Sequence, residues 1–316
     1  MSVPFDRKVR VGVTEKNQHA YWDMVNAGWH DAAGALGLDL RIEAPPSEDV
    51  AAQVELMRRQ LDDGVDALAF VATRADAFDE IVAEADRRGV PVVAFDLDAP
   101  TSGRLTFVGM PAIRDVANRL GDVLAERLPA GSTVIAQTGS DHAPGAAAKL
   151  AGFLESMQRH GHRVVVGESD GEDVARSLQV ARRLLEENPE AAGMYGVYGY
   201  HPIVQARAAE LAGRPDLTIV GYDLLPETVD LVESGAVACS VWIQEYYFGY
   251  HTAVLVNALA RTGSREALRA FRMDPDDLAG NAVYPPVAFH TKDTIAGFRS
   301  FAAAKSLQAR TATTVL

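Results

Sequence analysis

What most constrains the fold of this chain is an alternation between two kinds of segment. Short, weakly charged runs rich in β-branched residues alternate with longer stretches of helical period, in two successive sets. In the first set RVGVT (10–14), LDLRIEA (38–44), DALAFVAT (66–73), PVVAF (91–95) and RLTFVG (104–109) read as strands, with helices over 20–36, 50–61 and 78–88. Val50, Val54, Met57 and Leu61 step by 4, 3 and 4, which lays one apolar stripe along one helix face. The second set opens with a helix near 113–124. STVIAQ (132–137), HRVVVG (162–167), GMYGVY (193–198), LTIVGY (217–222) and AVACSVW (236–242) follow, with helices near 144–159, 174–185, 202–212 and 226–234 between them. A long helix over 244–261, an irregular stretch, a strand at VAFHT (287–291) and a helix near 293–308 close the chain.

Strands with few charges, spaced by helices, are buried parallel strands covered on both faces. The predicted class is therefore α/β. Each set is long enough for one open domain, and no Gly/Ser linker separates them. The expectation is two Rossmann-like lobes joined by direct strand crossovers. The alternative is one continuous sheet of about ten strands, a size uncommon for an open sheet. The length of 316 residues suits two domains of roughly 100–200 residues each.

Charge and composition narrow the function. The 43 acidic residues outnumber the 30 basic ones, for a net charge of −13. A nucleic-acid binder presents a basic face, so DNA and RNA are disfavoured as partners, as is an anionic membrane surface. No run of about 18 apolar residues occurs, so no membrane insertion is expected. The single cysteine, Cys239, lies in the apolar stretch VACSVW and reads as a buried structural thiol. The dinucleotide fingerprint is missing, since the glycines at 193, 196 and 199 are spaced GxxGxxG, and no P-loop occurs. His160 and His162 lack a third ligand at metal spacing. No cofactor, no metal and no enzyme activity are expected.

In open parallel sheets, ligands bind beyond the C-terminal ends of the strands. Those ends carry Asn17, His19, Tyr21 and Trp22 after the first strand, and Asp96 and Asp98 after the fourth. In the second set they carry Ser140, Asp141 and His142, then Asp170, then Tyr198, Tyr200 and His201, then Asp223, then Trp242 and Gln244. Aromatic residues make up only 7% of the chain, yet they gather here. Flat rings beside carboxylates and amides suit a sugar or polyol, because rings cover C–H faces while Asp, Asn and Gln bond hydroxyls. Each residue also has a plainer reading. Asp170 and Ser140 suit helix N-caps, and the tyrosines suit core or rim packing.

With these residues in place, the chain resembles the type I periplasmic binding proteins. The resemblance is to the monosaccharide-binding branch, which is related to the effector core of lactose-repressor-like regulators. It covers residues 8 to about 300 and rests on KVRVGVTEKNQHAYWDMVNAGWHDAAGALG, DDGVDALAFVAT, GVPVVAFDLD, KLAGF, LTIVGYD and VWIQEYYFGY. It implies two lobes with parallel sheets, a three-crossover hinge, and a ligand in the cleft between lobes that closes on binding. The lobes are then 1–109 plus 245–283, and 110–244 plus 284–316. Carried over residue by residue, the family's polar-then-two-aromatics element matches His19, Tyr21 and Trp22. Its two strand-end aspartates match Asp96 and Asp223, and its hinge Gln matches Gln244, with Trp242 or Ile243 as the alternative holder of that position.

Other family positions depart. Leu97 stands where a basic residue often follows the Asp, and Met110–Pro111 replaces a polar pair. Lys149 replaces an Arg. Gly199–Tyr200, followed by His201, replaces an Asn-Asp pair. Lysine does not reproduce an Arg fork across adjacent hydroxyls. The departures favour a ligand with fewer hydroxyls, an unusual polyol, or one with an apolar part facing His19, Met110, Tyr200, His201 and Trp242.

The resemblance implies a solute-binding protein of an ABC importer, monomeric, with a sugar-like ligand and a permease as partners. The alternative is a cytoplasmic ligand sensor of the same fold without a DNA-binding domain. A hydrolase using Asp96, Asp98 and His142 is a third reading. A leader upstream of this sequence places the protein in the periplasm or on the cell surface as a lipoprotein. A native start at Met1 places it in the cytoplasm.

Overall fold

In a computed structural model that describes residues 3–19, 21–110, 112–140 and 143–313, apart from the side chains of Pro144 and 306–313, the strands form two separate six-stranded sheets. The single ten-stranded sheet is thereby overturned. The described chain divides into two compact units, Met1–Met110 with Gln244–Pro285 and Ala304–Leu316, and Pro111–Ile243 with Pro286–Ala303.

The first unit contains β1 (Val9–Thr14), β2 (Leu38–Glu43), β3 (Ala67–Phe70), β4 (Val92–Asp96), β5 (Thr106–Gly109) and β11 (Ala282–Val283). They lie in the order β11-β5-β4-β3-β1-β2, and every pairing is parallel. Because strand side chains alternate, the sheet feeds two cores. On one face Val9, Val11, Val13, Ala67 and Ala69 meet Trp22, Val25 and Trp29 of α1 (Trp22–Leu36) and Phe248 and Val256 of α9 (Glu245–Thr262). On the other, Leu68, Phe70 and Ala94 meet Met57 and Leu61 of α2 (Val50–Asp62) and Ile81 and Val82 of α3 (Asp79–Arg87).

Helices α1 and α9 pack at backbone distance. A Cβ on Gly28 would lie 1.9 Å from the Tyr246 carbonyl oxygen, and one on Gly249 would lie 2.0 Å from that of Val25. Only glycine permits this approach, and it sets where the first turn of α1, with Tyr21 and Trp22, stands at the strand ends.

The second unit contains β6 (Thr133–Gln137), β7 (Arg163–Val166), β8 (Ala191–Gly196), β9 (Thr218–Tyr222), β10 (Cys239–Trp242) and β12 (Ala288–His290), in the order β12-β10-β9-β8-β6-β7. Here the edge strand β12 runs antiparallel to β10. Between the strands lie α4 (Ile113–Ala125), α5 (Pro144–Arg159), α6 (Val174–Glu187), α7 (His201–Leu211) and α8 (Pro226–Ser234). Cys239 is buried, and burial pushes its thiol up to about 12, so it is an inert core group.

Two differences from the sequence reading concern the end of the chain. The stretch read as irregular holds α10 (Ser264–Ala270) and the two-residue β11. So short a strand has no visible period. It is held by Arg104, which donates to the carbonyls of Leu278 (2.6 Å) and Asn281 (2.9 Å) and forks onto Asp98 at 2.7 Å. Also, α11 (Ile295–Thr313) does not lie wholly with the second unit. Lys305 pairs with Asp31 of α1, and its ammonium lies 4.9 Å from the Tyr246 ring centre.

Candidate ligand-binding site

In the first unit, the segment after β1 folds back on itself. His19 Nδ1 accepts the Tyr21 backbone N–H at 3.1 Å, and its carbonyl accepts that of Trp22. This local turn delivers two adjacent rings. The Tyr21 hydroxyl donates to Asp96 Oδ1 at 2.7 Å, and Trp22 Nε1 donates to Asn17 Oδ1 at 3.1 Å. Asp96 ends β4 with φ +61, the left-handed region that few residues other than glycine visit, though Asp tolerates it. Burial raises its carboxyl above the ordinary range, partly offset by the Tyr21 hydroxyl and the Lys16 ammonium. Lys16, Asn17, His19, Tyr21, Trp22 and Asp96 line a pocket of about 300 Å³. Trp22 itself is 2% exposed, with its ring edge-on to Phe95 at 6.3 Å, so it is core as well as lining.

In the second unit, Asp223 follows β9 as Asp96 ends β4, and β4 and β9 hold the same place in the two strand orders. Asp223 also has a positive φ, +64. Its backbone is pinned, its N–H donating to the Val241 carbonyl at 2.8 Å and its carbonyl accepting from Ser240 Oγ at 2.7 Å. Burial raises this carboxyl too, and Lys149 opposes the rise. Lys149 Nζ donates to the Val197 carbonyl at 3.0 Å and stands 4.0 Å from the Tyr222 ring centre, with its own pKa lowered by burial. Both units therefore present one strained, desolvated aspartate with a lysine and a tyrosine beside it.

The Tyr198–His201 turn is arranged differently from the sequence expectation. The Tyr200 hydroxyl donates to Asp170 Oδ1 at 2.7 Å, and His201 Nε2 lies 2.8 Å from Asp170 Oδ2. His201 Nδ1 accepts the Tyr198 backbone N–H at 3.0 Å, so Nε2 carries the proton and donates. His201 and Asp170 are buried, and both ring nitrogens are engaged inside the unit. His201 was expected at the ligand; it is instead an internal partner of Asp170. Asp170 was expected as a cap or a strand-end polar group; the cap of α6 is Asp173, whose side chain accepts from the N–H groups of Ala175 and Arg176. The rings of Tyr198 and Tyr200 stack at 5.8 Å and are partly exposed.

Trp242 also turns inward. It is 8% exposed and packs on Phe298 (4.9 Å) and Phe301 (5.5 Å), which makes it a core ring. With Trp242 and His201 internal, the expectation of an apolar ligand loses two of its supports. Gln244 takes a left-handed conformation at the start of α9, and its carbonyl accepts the Tyr247 N–H. Met110 is half-buried against the first unit's core. His142, like Asp141, lies outside the described residues. Asp98, assigned to the hydrolase reading, is paired with the buried Arg104.

Sequence reasoning missed Lys16 and Glu15. The signal was a charged pair immediately after a buried strand. Glu15 is 5% exposed, and burial pushes its carboxyl up to about 8. Among the described residues, no His, Cys, Asp and Glu cluster is arranged to hold a metal ion, and no helix is long and apolar enough to cross a membrane.

Two sheets with matched strand orders, each with a polar and aromatic cluster at its strand ends, can be compared with known proteins. The Periplasmic binding protein domain family matches residues 11–264. The chain belongs to that family. Among curated periplasmic binding proteins, it is 27% identical over 217 residues to the D-ribose/D-allose-binding protein of Pseudomonas aeruginosa, covering 65% of this chain and 67% of the relative. It is 23% identical to the ribose import binding protein of Escherichia coli, covering 68% and 72%. Among solved structures, the arabinose-binding protein AraP of Geobacillus stearothermophilus aligns with a TM-score of 0.76 at 22% identity, covering 92% of this chain and 99% of that one. A periplasmic ribose ABC transporter protein of Conexibacter woesei aligns with a TM-score of 0.77 at 19% identity, covering 93% and 95%. At these identities the structural likeness bears on the fold.

Proposed function

We propose that this periplasmic binding protein captures a small sugar or a related polyol for an ABC importer, without transforming it. The observation that carries this reading is the pair of strand-end aspartates, Asp96 and Asp223, each left-handed, desolvated and flanked by a lysine and a tyrosine. A desolvated carboxylate gains from accepting hydroxyl hydrogen bonds, and the rings of Tyr21 and Tyr198 offer faces for C–H groups. Relatives named for ribose, allose and arabinose support the sugar class, and those named for import favour delivery to a permease over cytoplasmic sensing. The proposed ligand residues are His19, Tyr21, Trp22, Asp96, Lys149, Tyr200, Asp223 and Gln244. The proposed place of action is the periplasm or cell surface, as a monomer that docks on the permease.

Isothermal titration with D-ribose, D-allose, D-arabinose, erythritol and xylitol tests this. Micromolar or tighter binding of at least one, lost in both Asp96→Ala and Asp223→Ala, is the expected result. Binding that survives both substitutions would sink the reading. Turnover of the bound compound would replace transport by catalysis.

A further inference from the structure

In the Asp170–His201–Tyr200 cluster the two buried members, Asp170 and His201, spend their polar atoms inside the unit, so their place in the fold needs another account. Asp170 lies in the loop after β7, and its N–H donates to the Thr138 carbonyl at the end of β6. Its Oδ1 accepts from the Glu172 N–H (3.0 Å) and from the Tyr200 hydroxyl (2.7 Å), while Oδ2 accepts from His201 Nε2 (2.8 Å). Tyr200 and His201 flank the tight turn after β8. The residue before them, Gly199, packs directly on the other strand-end carboxylate. A Cβ at Gly199 would sit 2.3 Å from Asp223 Oδ2 and 2.9 Å from Asp223 Cβ. The chain of contact therefore runs from Asp170, through Tyr200 and His201, to Gly199 and onto the face of Asp223.

We propose that Asp170 is a positioning residue for the Asp223 carboxylate, clamping the 198–201 turn over it through Tyr200 and His201. This rests on the reading of Asp223 as a sugar contact. The clamp is polar in one direction only. His201 Nδ1 must accept from Tyr198, so Nε2–H must donate, and the group facing it must be an acceptor. A carboxylate serves the Tyr200 hydroxyl, the Glu172 N–H and the imidazole N–H at once. An amide cannot. In Asp170→Asn the amide N–H faces His201 Nε2–H, or the amide is turned round and its N–H faces the Glu172 N–H, or the imidazole changes tautomer and Nδ1–H faces the Tyr198 N–H. Two donors are left opposed in each case, and the turn is released. The charged and titratable groups around His201 are Asp170 from the β7 loop, Lys149 from α5, and Tyr198 and Tyr200 from its own turn.

The test uses the full chain with Asp170→Asn and the milder Tyr200→Phe. The first readout needs no sugar: the titration of the Asp223 carboxyl followed by carbon-13 NMR, with Asp223→Asn to assign the signal. The second is calorimetric affinity for D-ribose, D-allose and D-arabinose. In folded Asp170→Asn, the Asp223 titration should move down toward the ordinary carboxylate range as water reaches it, and affinity should fall about 10- to 100-fold. Tyr200→Phe should move both in the same direction by less. If Asp170→Asn does not fold, the Asp223 titration in Tyr200→Phe decides alone, since affinity there also reads any contact of Tyr200 with the sugar. Wild-type titration and affinity in the folded variants would overturn the proposal. A wild-type protein that binds none of the three sugars would overturn the sugar reading for them, while the Asp223 titration still decides the positioning role.

Discussion

Tyr21 and Asp96 are 75 residues apart in the chain and joined by one hydrogen bond, the tyrosine hydroxyl donating to Oδ1 at 2.7 Å. The tyrosine comes from the turn that starts α1, and the aspartate from the end of β4. Removing the hydroxyl in Tyr21→Phe takes a donor from a desolvated carboxyl whose pKa is already raised. The variant should lose about 1–2 kcal/mol of sugar affinity, and its Asp96 carboxyl should titrate still higher. Calorimetry and carbon-13 NMR check this. Unchanged values on both would free Asp96 from any dependence on Tyr21.

Lys149 stands against the Tyr222 ring and beside Asp223, where it opposes the burial-driven rise of that carboxyl. Lys149→Met keeps much of the stem and removes the charge. Affinity should fall by about 1.5–3 kcal/mol if the ammonium supports a charged acceptor for the ligand, with the melting temperature little changed. A large fall in melting temperature at constant affinity would make Lys149 a structural cation.

Glu15 carries a carboxyl pushed up to about 8 by burial, with the charges of Asp23 and Asp96 adding to the shift and an Asn26 hydrogen bond opposing it. Among the described residues, Glu15 Oε1 and Asn26 Oδ1 are both buried without a hydrogen-bond partner. A proton on Glu15 removes the charge from a buried carboxyl. A group that binds its proton more tightly when folded adds stability that is complete below its ordinary value of 4.5 and is lost as pH rises through about 8. Chemical unfolding at pH 5, 7 and 9 should show wild-type stability falling by a few kcal/mol, at most ~1.4 per pH unit. Glu15→Gln should lose distinctly less over the same range. Parallel curves for the two proteins would contradict a neutral Glu15.

Arg104 is 1% exposed, and its guanidinium serves Asp98 and three carbonyls of the 278–281 segment. Arg104→Met strands those acceptors and should cost about 3–5 kcal/mol. Arg104→Lys should recover little of this, because a single ammonium cannot reach five acceptor atoms, the two oxygens of Asp98 and three carbonyls. Thermal unfolding measures both. A lysine variant of wild-type stability would show that charge alone is needed.

Much of the architecture was legible along the chain. Runs such as PVVAF and LTIVGY are apolar because parallel strands are covered on both faces, and the residue that follows such a strand has to emerge at the sheet's C-terminal edge. That reasoning singled out Asp96 and Asp223 with no structure in hand. It said nothing of their left-handed φ, since no local pattern marks an aspartate that must turn back. It missed β11, two residues long and held by an arginine over 170 residues away. It also placed His201 and Trp242 at the ligand, because both follow or end strands as ligand residues do.

By itself, then, the sequence determined the α/β class, the two sets of strands and the strand ends where chemistry gathers, all of which follow from local period and from the geometry of parallel sheets. Only the tertiary structure decided which strand-end groups face outward and which are consumed inside. His201 belongs to Asp170, 31 residues earlier, and Trp242 to the rings of α11. Hydrogen bonding and burial depend on distances of about 3–4 Å, and those distances exist only once segments far apart in the chain have been folded against one another.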